Sequence, residues 1–465
     1  MTHAAIYKEL IFLENVADKI RGVYKKLTFT QVLVFGYLLL VLLGAAVLTL
    51  PVSSRSGSHT PYFECVFITT SAFSGTGLTL YDTYQHWSFF GQIVILIIMQ
   101  IGGIGFMSIT LFMLSFTNKK IGLKSRVTMK ESVGGISGSG IVKMTRFILK
   151  GTIFLELAGA LLLCVYFVPR LGLGMGFFFS LFHSVSALCT AGLDLMGYFE
   201  PGSSMITAQT DVLVNVTLIV LLTIGGIGFM AWHDVVEHKH HFKKYHLQSK
   251  LVIIITLAFF VAGVGLGLLF EWNDSLIGHT PGNKFLIMSM LMTSGRDAGF
   301  APLAINTLRP ATILILIVFM FVGGAPGSTA CGIKTTTFAV MLLTIVSVFR
   351  KRKSVECFGR RIDEGTVRNA CCVTTLYLIV VITGTMIISA VDGIEITPVV
   401  FETVSAISSC GLSMGITSSL SFPSQLIITL IMFFGRVGGI TFIVSLKSET
   451  FHAKSQLPEE KIMVG

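Results

Sequence analysis

Charged residues are scarce in this sequence of 465 residues. Asp, Glu, Lys and Arg make up 12% of it, whereas hydrophobic residues make up 53%. A soluble domain contains roughly 25% charged residues. The low charge therefore excludes an ordinary soluble domain and indicates a protein that crosses a membrane several times.

Motifs for metal binding and catalysis are also missing. None of the eight cysteines forms a CxxC pair, and most lie in apolar segments, which favours buried thiols over a zinc or redox site. No convergent group of His, Asp and Ser, and no pair of carboxylates, points to an enzyme. The histidines of HKHHFKKYH (238–246) are spaced loosely like metal ligands, but their basic surroundings favour a solvated connector.

The positive charge is concentrated in a few segments. A formal net charge of +10 is compatible with nucleic-acid binding, but most Lys and Arg lie in the termini and in three connectors, which include 118–126, 238–246 and 350–361. Basic loops stay on the cytoplasmic side of a membrane. We therefore expect cytoplasmic termini, and a lipid bilayer rather than a nucleic acid as partner.

Eight apolar runs have the length of about 20 residues that a membrane crossing needs. They lie near 29–50, 89–115, 147–168, 211–232, 251–270, 311–348, 371–391 and 424–446. A shorter segment lies between the two runs of each pair, at 61–73, 175–189, 284–295 and 398–408. These shorter segments are too short to cross and have the length of re-entrant helices.

Two short sequence words recur in the same order in each pair of runs. The first is SAFSGTGL (71–78), SALCTAGL (186–193), TSGRDAGF (293–300) and SAISSCGL (405–412). The second is IGGIGFM (101–107), IGGIGFM (224–230), VGGAPGS (322–328) and VGGITFI (437–443). Their coupling predicts internal duplication rather than glycine pairs that only help helices pack.

The predicted fold is an all-α integral membrane protein. Eight transmembrane helices form four span–pore helix–span repeats around one pseudo-fourfold pore. The expected parts are an amphipathic cytosolic N-terminus (1–28), repeat 1 (29–117), a cytosolic connector (118–144), repeat 2 (145–232), a connector (233–249), repeat 3 (250–349), a connector (350–368), repeat 4 (369–446) and a cytosolic C-terminus (447–465).

The first word predicts a selectivity filter. Irregular backbone at membrane depth is tolerated where it lines a watery cavity, and rings of carbonyl oxygens replace the water around a monovalent cation. Glycine allows the backbone angles that turn carbonyls toward an axis. The candidate filter residues are Ser74, Gly75, Thr76, Gly77, Cys189, Thr190, Ala191, Gly192, Arg296, Asp297, Ala298, Gly299, Ser408, Ser409, Cys410 and Gly411.

Acidic residues do not recur in these loops, which argues against a filter for divalent cations. Asp297 is the exception, and it either pairs with Arg296 or adds negative field at the pore mouth. Glu64, His183 and Glu402 lie in the half-helices at positions that do not correspond between repeats. For these three residues, packing or hydrogen bonds behind the filter are favoured over direct ion binding.

A broken helix below the filter predicts a gate. The apolar run 311–348 is interrupted by four glycines and a proline, which make a continuous helix improbable. The candidate loop residues are Gly323, Gly324, Ala325, Pro326, Gly327, Ser328, Thr329, Ala330, Cys331 and Gly332. Arg436, the one charge in 424–446, either forms an electrostatic barrier or caps carbonyls structurally. Lys334 is a similar barrier or extends toward the cytosol.

These motifs resemble those of the Trk/Ktr/HKT superfamily of potassium transporters. GGAPGSTACGIKTTT (323–337) and GRVGG (435–439) are similar to its third-repeat gating loop and fourth-repeat arginine motif, although Cys331 stands where glycine is more usual. Because 28 residues precede the first span, without an extra helix pair, the chain is more similar to the Ktr membrane subunit than to Trk.

The resemblance implies a non-enzymatic function, potassium uptake across the bacterial cell membrane. It implies K⁺ bound at the filter, no covalent cofactor, and frequent stimulation of transport by Na⁺. It also implies a homodimer on a cytosolic ring of nucleotide-binding regulatory subunits. Two alternatives stay open: a sodium-selective or mixed monovalent cation transporter of the same fold, and a carrier for an organic solute.

Overall fold

The computed structural model of the protein describes residues 29–105, 141–352 and 354–439. The predicted amphipathic N-terminus (1–28), the cytosolic C-terminus (447–465) and most of the first connector (118–144) lie outside the described residues. The predicted ends of the spans 89–115 and 424–446 also lie outside them.

Helices dominate the first two predicted repeats. The helices of the first are α1 (Phe29–Leu48), α2 (Tyr62–Ser74), the short α3 (Thr83–His86) and α4 (Phe89–Ile104). Those of the second are α5 (Ile141–Leu171), α6 (Leu173–Leu188), α7 (Val212–Ile227) and α8 (Phe229–His238). The helices α2 and α6 start one and two residues from the predicted half-helix starts.

The other two predicted repeats are also mainly helical. The helices of the third are α9 (Leu247–Glu271), α10 (Pro281–Asp297), α11 (Pro310–Phe321) and α12 (Thr335–Phe349). Those of the fourth are α13 (Glu364–Asp392), α14 (Ile396–Ser408) and α15 (Phe422–Val437). A small antiparallel hairpin, β1 (Glu356–Cys357) and β2 (Arg360–Arg361), precedes α13.

Short 3₁₀ turns occur in the connections between these helices. They are Pro51–Ser53, Met196–Tyr198, Met205–Ala208, Phe242–Lys244, Ile305–Thr307 and Thr417–Ser419. Several helices that follow a loop begin at a polar side chain that accepts a hydrogen bond from the first turn, the usual N-cap arrangement. The capping residues are Asp82, Ser88, Asp211, Thr280 and Asp363.

The sequence predicts one span over the apolar run 211–232, but the structure has two helices there. They are α7 and α8, which meet at Gly228 with a bend of 99°. Gly228 has φ +85°, an angle that favours glycine, and the N–H of Phe229 donates to the Gly327 carbonyl at 2.8 Å. The bend is therefore held by a distant segment, which a local sequence pattern does not reveal.

Three described helices are long and apolar enough to cross a membrane by themselves. They are Met144–Leu171, Leu247–Glu271 and Glu364–Asp392, and α7 with α8 makes a fourth if the bent pair counts as one span. Several other apolar helices have 10–17 residues, and two of them, Phe89–Ile104 and Phe422–Val437, end at Gly105 and Gly438. The helix lengths alone therefore establish fewer crossings than the eight predicted.

The short helices between the long ones form the interior. Every residue of α2 from Phe67 to Ser74 is buried, and so is every residue of α14 from Val404 to Ser408. Large apolar side chains on the outer helices are exposed, for example Phe154 at 71% and Leu269 at 72%. An apolar exterior around a buried centre is the arrangement expected for a surface that faces lipid.

We predict the sidedness of the loops from the Lys and Arg pattern. In a variant whose exposed Cys371 and Cys372 are replaced by serine, cysteines introduced at the exposed Ser58 and Ser419 should react with an impermeant maleimide in intact cells. A cysteine at the exposed Lys243 should react only after the membrane is permeabilised. Labelling with the opposite sidedness would contradict the topology.

Candidate functional site

The four predicted filter glycines form a closed ring. A Cβ atom placed on Gly77 would lie 2.6 Å from the Ala191 carbonyl oxygen, and one on Gly299 would lie 2.6 Å from the carbonyl carbon of Gly411. A Cβ on Gly192 would overlap the Gly299 backbone, and one on Gly411 would overlap the Thr76 carbonyl. Each loop therefore abuts the next in chain order, and the fourth abuts the first.

Three of the four loops share one backbone turn. Gly75, Thr190 and Ser409 have left-handed φ values of +72°, +51° and +52° just after their helices. The next N–H groups, of Thr76, Ala191 and Cys410, donate to the carbonyls of Ser71, Ser186 and Ser405 at 2.8, 2.8 and 2.9 Å. The glycines that follow, Gly77, Gly192 and Gly411, also have positive φ.

The third loop has a different geometry. The helix α10 continues to Asp297, Ala298 is extended at φ −156°, and Gly299 is not among the glycines with positive φ. The Arg296 Nε lies 3.8 Å from the Asp297 Oδ1, and each side chain is 6% exposed. Of the two sequence-based possibilities for Asp297, the structure therefore shows the pairing with Arg296.

A cavity of about 390 Å³ lies on one side of the ring. All four filter glycines line it, together with the loops that follow them. Asp82 and Asp194 are its charged lining residues, and no Lys or Arg is found among the described residues that line it. Sequence reasoning missed both carboxylates, because each lies in a loop and belongs to no repeated word.

The loop 323–332 lies against the opposite end of the filter segments. The Cys331 thiol lies 3.6 Å from the Ser74 carbonyl, the Thr329 hydroxyl donates to the Leu188 carbonyl at 3.1 Å, and Gly332 lies against Ser408. The loop thus contacts filter-side residues of the first, second and fourth repeats.

The glycine pair of α7 anchors this loop. The N–H of Ala325 donates to the Gly226 carbonyl at 2.8 Å, and the N–H of Thr329 donates to the Gly225 carbonyl at 3.3 Å. The loop closes on itself through Lys334, whose Nζ donates to the Ala330 carbonyl at 2.8 Å. Lys334 therefore turns back onto the loop.

Arg436 connects three elements. Its Nη1 donates to the Thr329 carbonyl at 2.7 Å and lies 3.3 Å from the Cys331 Sγ, and its Nη2 donates to the Gly102 carbonyl at the end of α4. Two of these contacts are with the loop 323–332. Arg436 therefore caps carbonyl groups, which is one of the two roles that the sequence analysis predicts for it.

In the fourth repeat, the segment that occupies the place of the second word is not the one that the sequence predicts. A Cβ on Gly102, Gly225 or Gly435 would overlap the Phe73, Leu188 or Ile407 carbonyl, which are corresponding positions of the three filter segments. The matching word in the fourth repeat therefore starts at Phe434 rather than Val437. Arg436 then corresponds to Gly103 and Gly226.

Polar side chains of the half-helices form hydrogen bonds beside the candidate filter loops. The His183 Nδ1 lies 2.7 Å from the Phe179 carbonyl, and its Nε2 accepts from the Leu195 N–H at 3.3 Å. Glu402 accepts hydrogen bonds from Ser413 and Thr417. Glu64 accepts one from Tyr81 at 2.6 Å. These contacts agree with the predicted packing role.

Comparison with known proteins shows the class of protein to which this chain belongs. The sequence profile of the family described as "TrkH: Cation transport protein" matches residues 37–453. The potassium/sodium uptake protein NtpJ of Enterococcus hirae is 34% identical over 96% of this chain and 99% of its own length. Ktr system potassium uptake protein B of Bacillus subtilis is 32% identical over 95% of this chain and 98% of its own.

A solved structure shares the fold. The crystal structure of the potassium transporter TrkH from Vibrio parahaemolyticus aligns with a TM-score of 0.66 at 18% identity, over 89% of this chain and 84% of that one. The fold is thus that of an all-α membrane transport protein. The chain belongs to the TrkH family of cation transport proteins, as a Trk/Ktr-type membrane subunit. The predictions of the family and of a transporter rather than an enzyme are confirmed.

Proposed function

We propose that this protein takes up potassium through the ring of four filter loops. The observation that carries the proposal is the closed contact of Gly77, Gly192, Gly299 and Gly411 beside a cavity. Carbonyl oxygens of Thr76, Ala191 and Gly411 lie at this contact. Such oxygens bind a dehydrated monovalent cation without a fixed charge.

The relatives support potassium as the ion but keep sodium as a second candidate. Relatives that match nearly the whole chain are named as potassium uptake proteins, and one is named for potassium and sodium. The third loop favours the mixed alternative, because its glycine lacks the left-handed φ of the other three. Four loops of unequal geometry discriminate less strongly between cations of different size than four equal loops do.

The loop 323–332 is the proposed gate. It lies across the inner end of three filter segments, and its backbone is held by Gly225, Gly226 and Arg436. A cation that leaves the filter inward must therefore displace it. The guanidinium adds an electrostatic barrier at the same place.

The remaining parts of the proposal follow from the family resemblance. They are eight crossings with cytoplasmic termini in a bacterial cell membrane, a homodimer, a cytosolic ring of nucleotide-binding subunits, and stimulation by Na⁺. Purification of the complex from cells that make both components would test the two partners.

Replacing a ring glycine should weaken ion selectivity. Gly411 and Gly415 have almost the same φ, +90° and +88°, so a serine at either meets a similar backbone strain of about 1–2 kcal/mol. Only at Gly411 does the added Cβ overlap another loop, whereas Gly415 has open space. Gly411→Ser should lower the K⁺/Na⁺ preference several-fold, and Gly415→Ser should not.

The measurement is competitive uptake of Rb⁺ and Na⁺ in cells that lack other potassium uptake systems. Equal selectivity of the two variants would contradict the filter assignment. Serine variants of Gly77, Gly192 and Gly299 extend the test to the other three loops.

Loosening the loop should raise transport. A charge-assisted hydrogen bond such as the one from Arg436 to Thr329 is worth about 1.5–3 kcal/mol, so its loss in Arg436→Ala should raise the maximal uptake rate by about tenfold or more. Deleting part of 324–330 should have the same effect, with selectivity largely kept. The control is Arg170→Ala, because Arg170 stacks on Tyr166 and donates to its carbonyl. Unaltered uptake per inserted protein in both gate variants would exclude the gate.

Uptake at low potassium should depend on pH through Asp194, in the loop outside the membrane-spanning helices. Burial raises the pKa of its carboxyl to about 7, against hydrogen bonds from Ser204 and the Met196 N–H. The negative charge of Asp194 is therefore present above pH 7 and lost below it.

A unit charge roughly 6 Å from a cation in water contributes about 0.7 kcal/mol, which is about a threefold change in local cation concentration. Uptake below saturation should rise about threefold from pH 6 to pH 8, and Asp194→Asn should abolish the rise. Glu200→Gln, an exposed carboxylate in the same loop, is the control. The same pH profile in Asp194→Asn would refute the role.

A further inference from the structure

A second cavity lies on the flank of the protein, away from the ring. Its volume is about 500 Å³, and it lies between α7 and α8 of the second repeat and α9 and α10 of the third. Its walls are mostly apolar and include Ile219, Leu257, Phe259, Phe260 and Met292. It opens at the exterior, because Leu257 is 61% exposed and Val235 is 44% exposed.

The inner end of this cavity is polar and incompletely paired. Arg296, Asp297 and Thr256 line it. Within the described residues, the Nε and Nη2 of Arg296, the Oδ1 of Asp297 and the Oγ1 of Thr256 are buried without a hydrogen-bond partner. Both charged residues are only 5% exposed. Buried polar atoms normally have partners, because leaving one unpaired costs about 1–3 kcal/mol.

We infer that this cavity binds a single-chain fatty acid from the membrane. The apolar walls fit an alkyl chain, and the volume lies in the usual range of ligand pockets. The carbonyl oxygen of a neutral carboxyl group accepts from Arg296, and its O–H donates to Asp297. One headgroup thus supplies a hydrogen-bond partner to both side chains, whose own ion pair leaves these atoms without a hydrogen bond. A phosphate headgroup fits less well, since Asp297 would repel its negative charges.

The place of the cavity connects it to the filter and to the gate. Arg296 and Asp297 belong to the third filter loop, which has the irregular geometry. The Asp297 carboxylate lies against Gly226, and the Gly226 carbonyl accepts the N–H of Ala325 in the loop 323–332. A bound headgroup therefore contacts the residues that fix both segments. The inference goes beyond the proposed function, and its test does not depend on transport.

The test is photolabelling of the full-length protein in nanodiscs with palmitic acid that carries a diazirine in its chain. Labelling should be saturable, should be competed by unlabelled palmitic acid, and should map to peptides of α7, α9 or α10. Leu257→Trp places an indole at the cavity mouth and should reduce labelling at least fivefold. Leu269→Trp is the matched control, because Leu269 is an exposed leucine of the same helix that does not line the cavity.

The methyl ester of the same probe tests the headgroup. It keeps the carbonyl but lacks the O–H, so it should label at least fivefold less. Equal labelling by acid and ester would overturn the carboxyl assignment, and labelling that is not saturable or is equal in the two tryptophan variants would overturn the site. A change of oligomeric state in Leu257→Trp with no labelling of the wild type would overturn it too, because a second copy of the chain would then cover the cavity.

Discussion

The structure depends on the close approach of backbone to backbone where side chains are missing. At the ring, each filter glycine lies where a Cβ would meet the neighbouring loop. Behind the ring, Gly102, Gly225 and Gly435 lie against the carbonyls of Phe73, Leu188 and Ile407 in the same way. A single methyl group at these places forces polypeptide segments apart. The contacts between the loops and those between the helix ends therefore depend on the same condition, which is that these positions carry no side chain.

This condition explains the distribution of polar groups. Where this closely packed backbone leaves the helices, as it does in the filter loops and in the loop 323–332, its N–H and C=O groups need partners nearby. The turns after α2, α6 and α14 supply them with carbonyls of their own helices, and the loop 323–332 uses carbonyls of Gly225 and Gly226. Arg436 satisfies the carbonyls of Thr329 and Gly102, which lie in different repeats.

The sequence predicts the local features of this architecture well. Segment length and recurring words locate α2, α6, α10 and α14 within three residues at each end, because these signals are local. Contacts between repeats are not local, and here prediction fails. The bend at Gly228 depends on Gly327, and the register of Arg436 depends on Ile407. The carboxylates of Asp82 and Asp194 reach one cavity through loops without a repeated pattern.

The register of Arg436 has a consequence for stoichiometry. In an assembly of four identical subunits around a pore, every substitution appears four times, and four guanidinium groups near one axis would repel one another strongly. Here the corresponding positions of the first two repeats are Gly103 and Gly226, and the third repeat supplies the loop that the arginine contacts. Because the four repeats are joined in one polypeptide, each of them can have a different sequence. Among the described residues, Arg436 and the loop 323–332 each occur in one repeat, an asymmetry that no symmetric oligomer can encode.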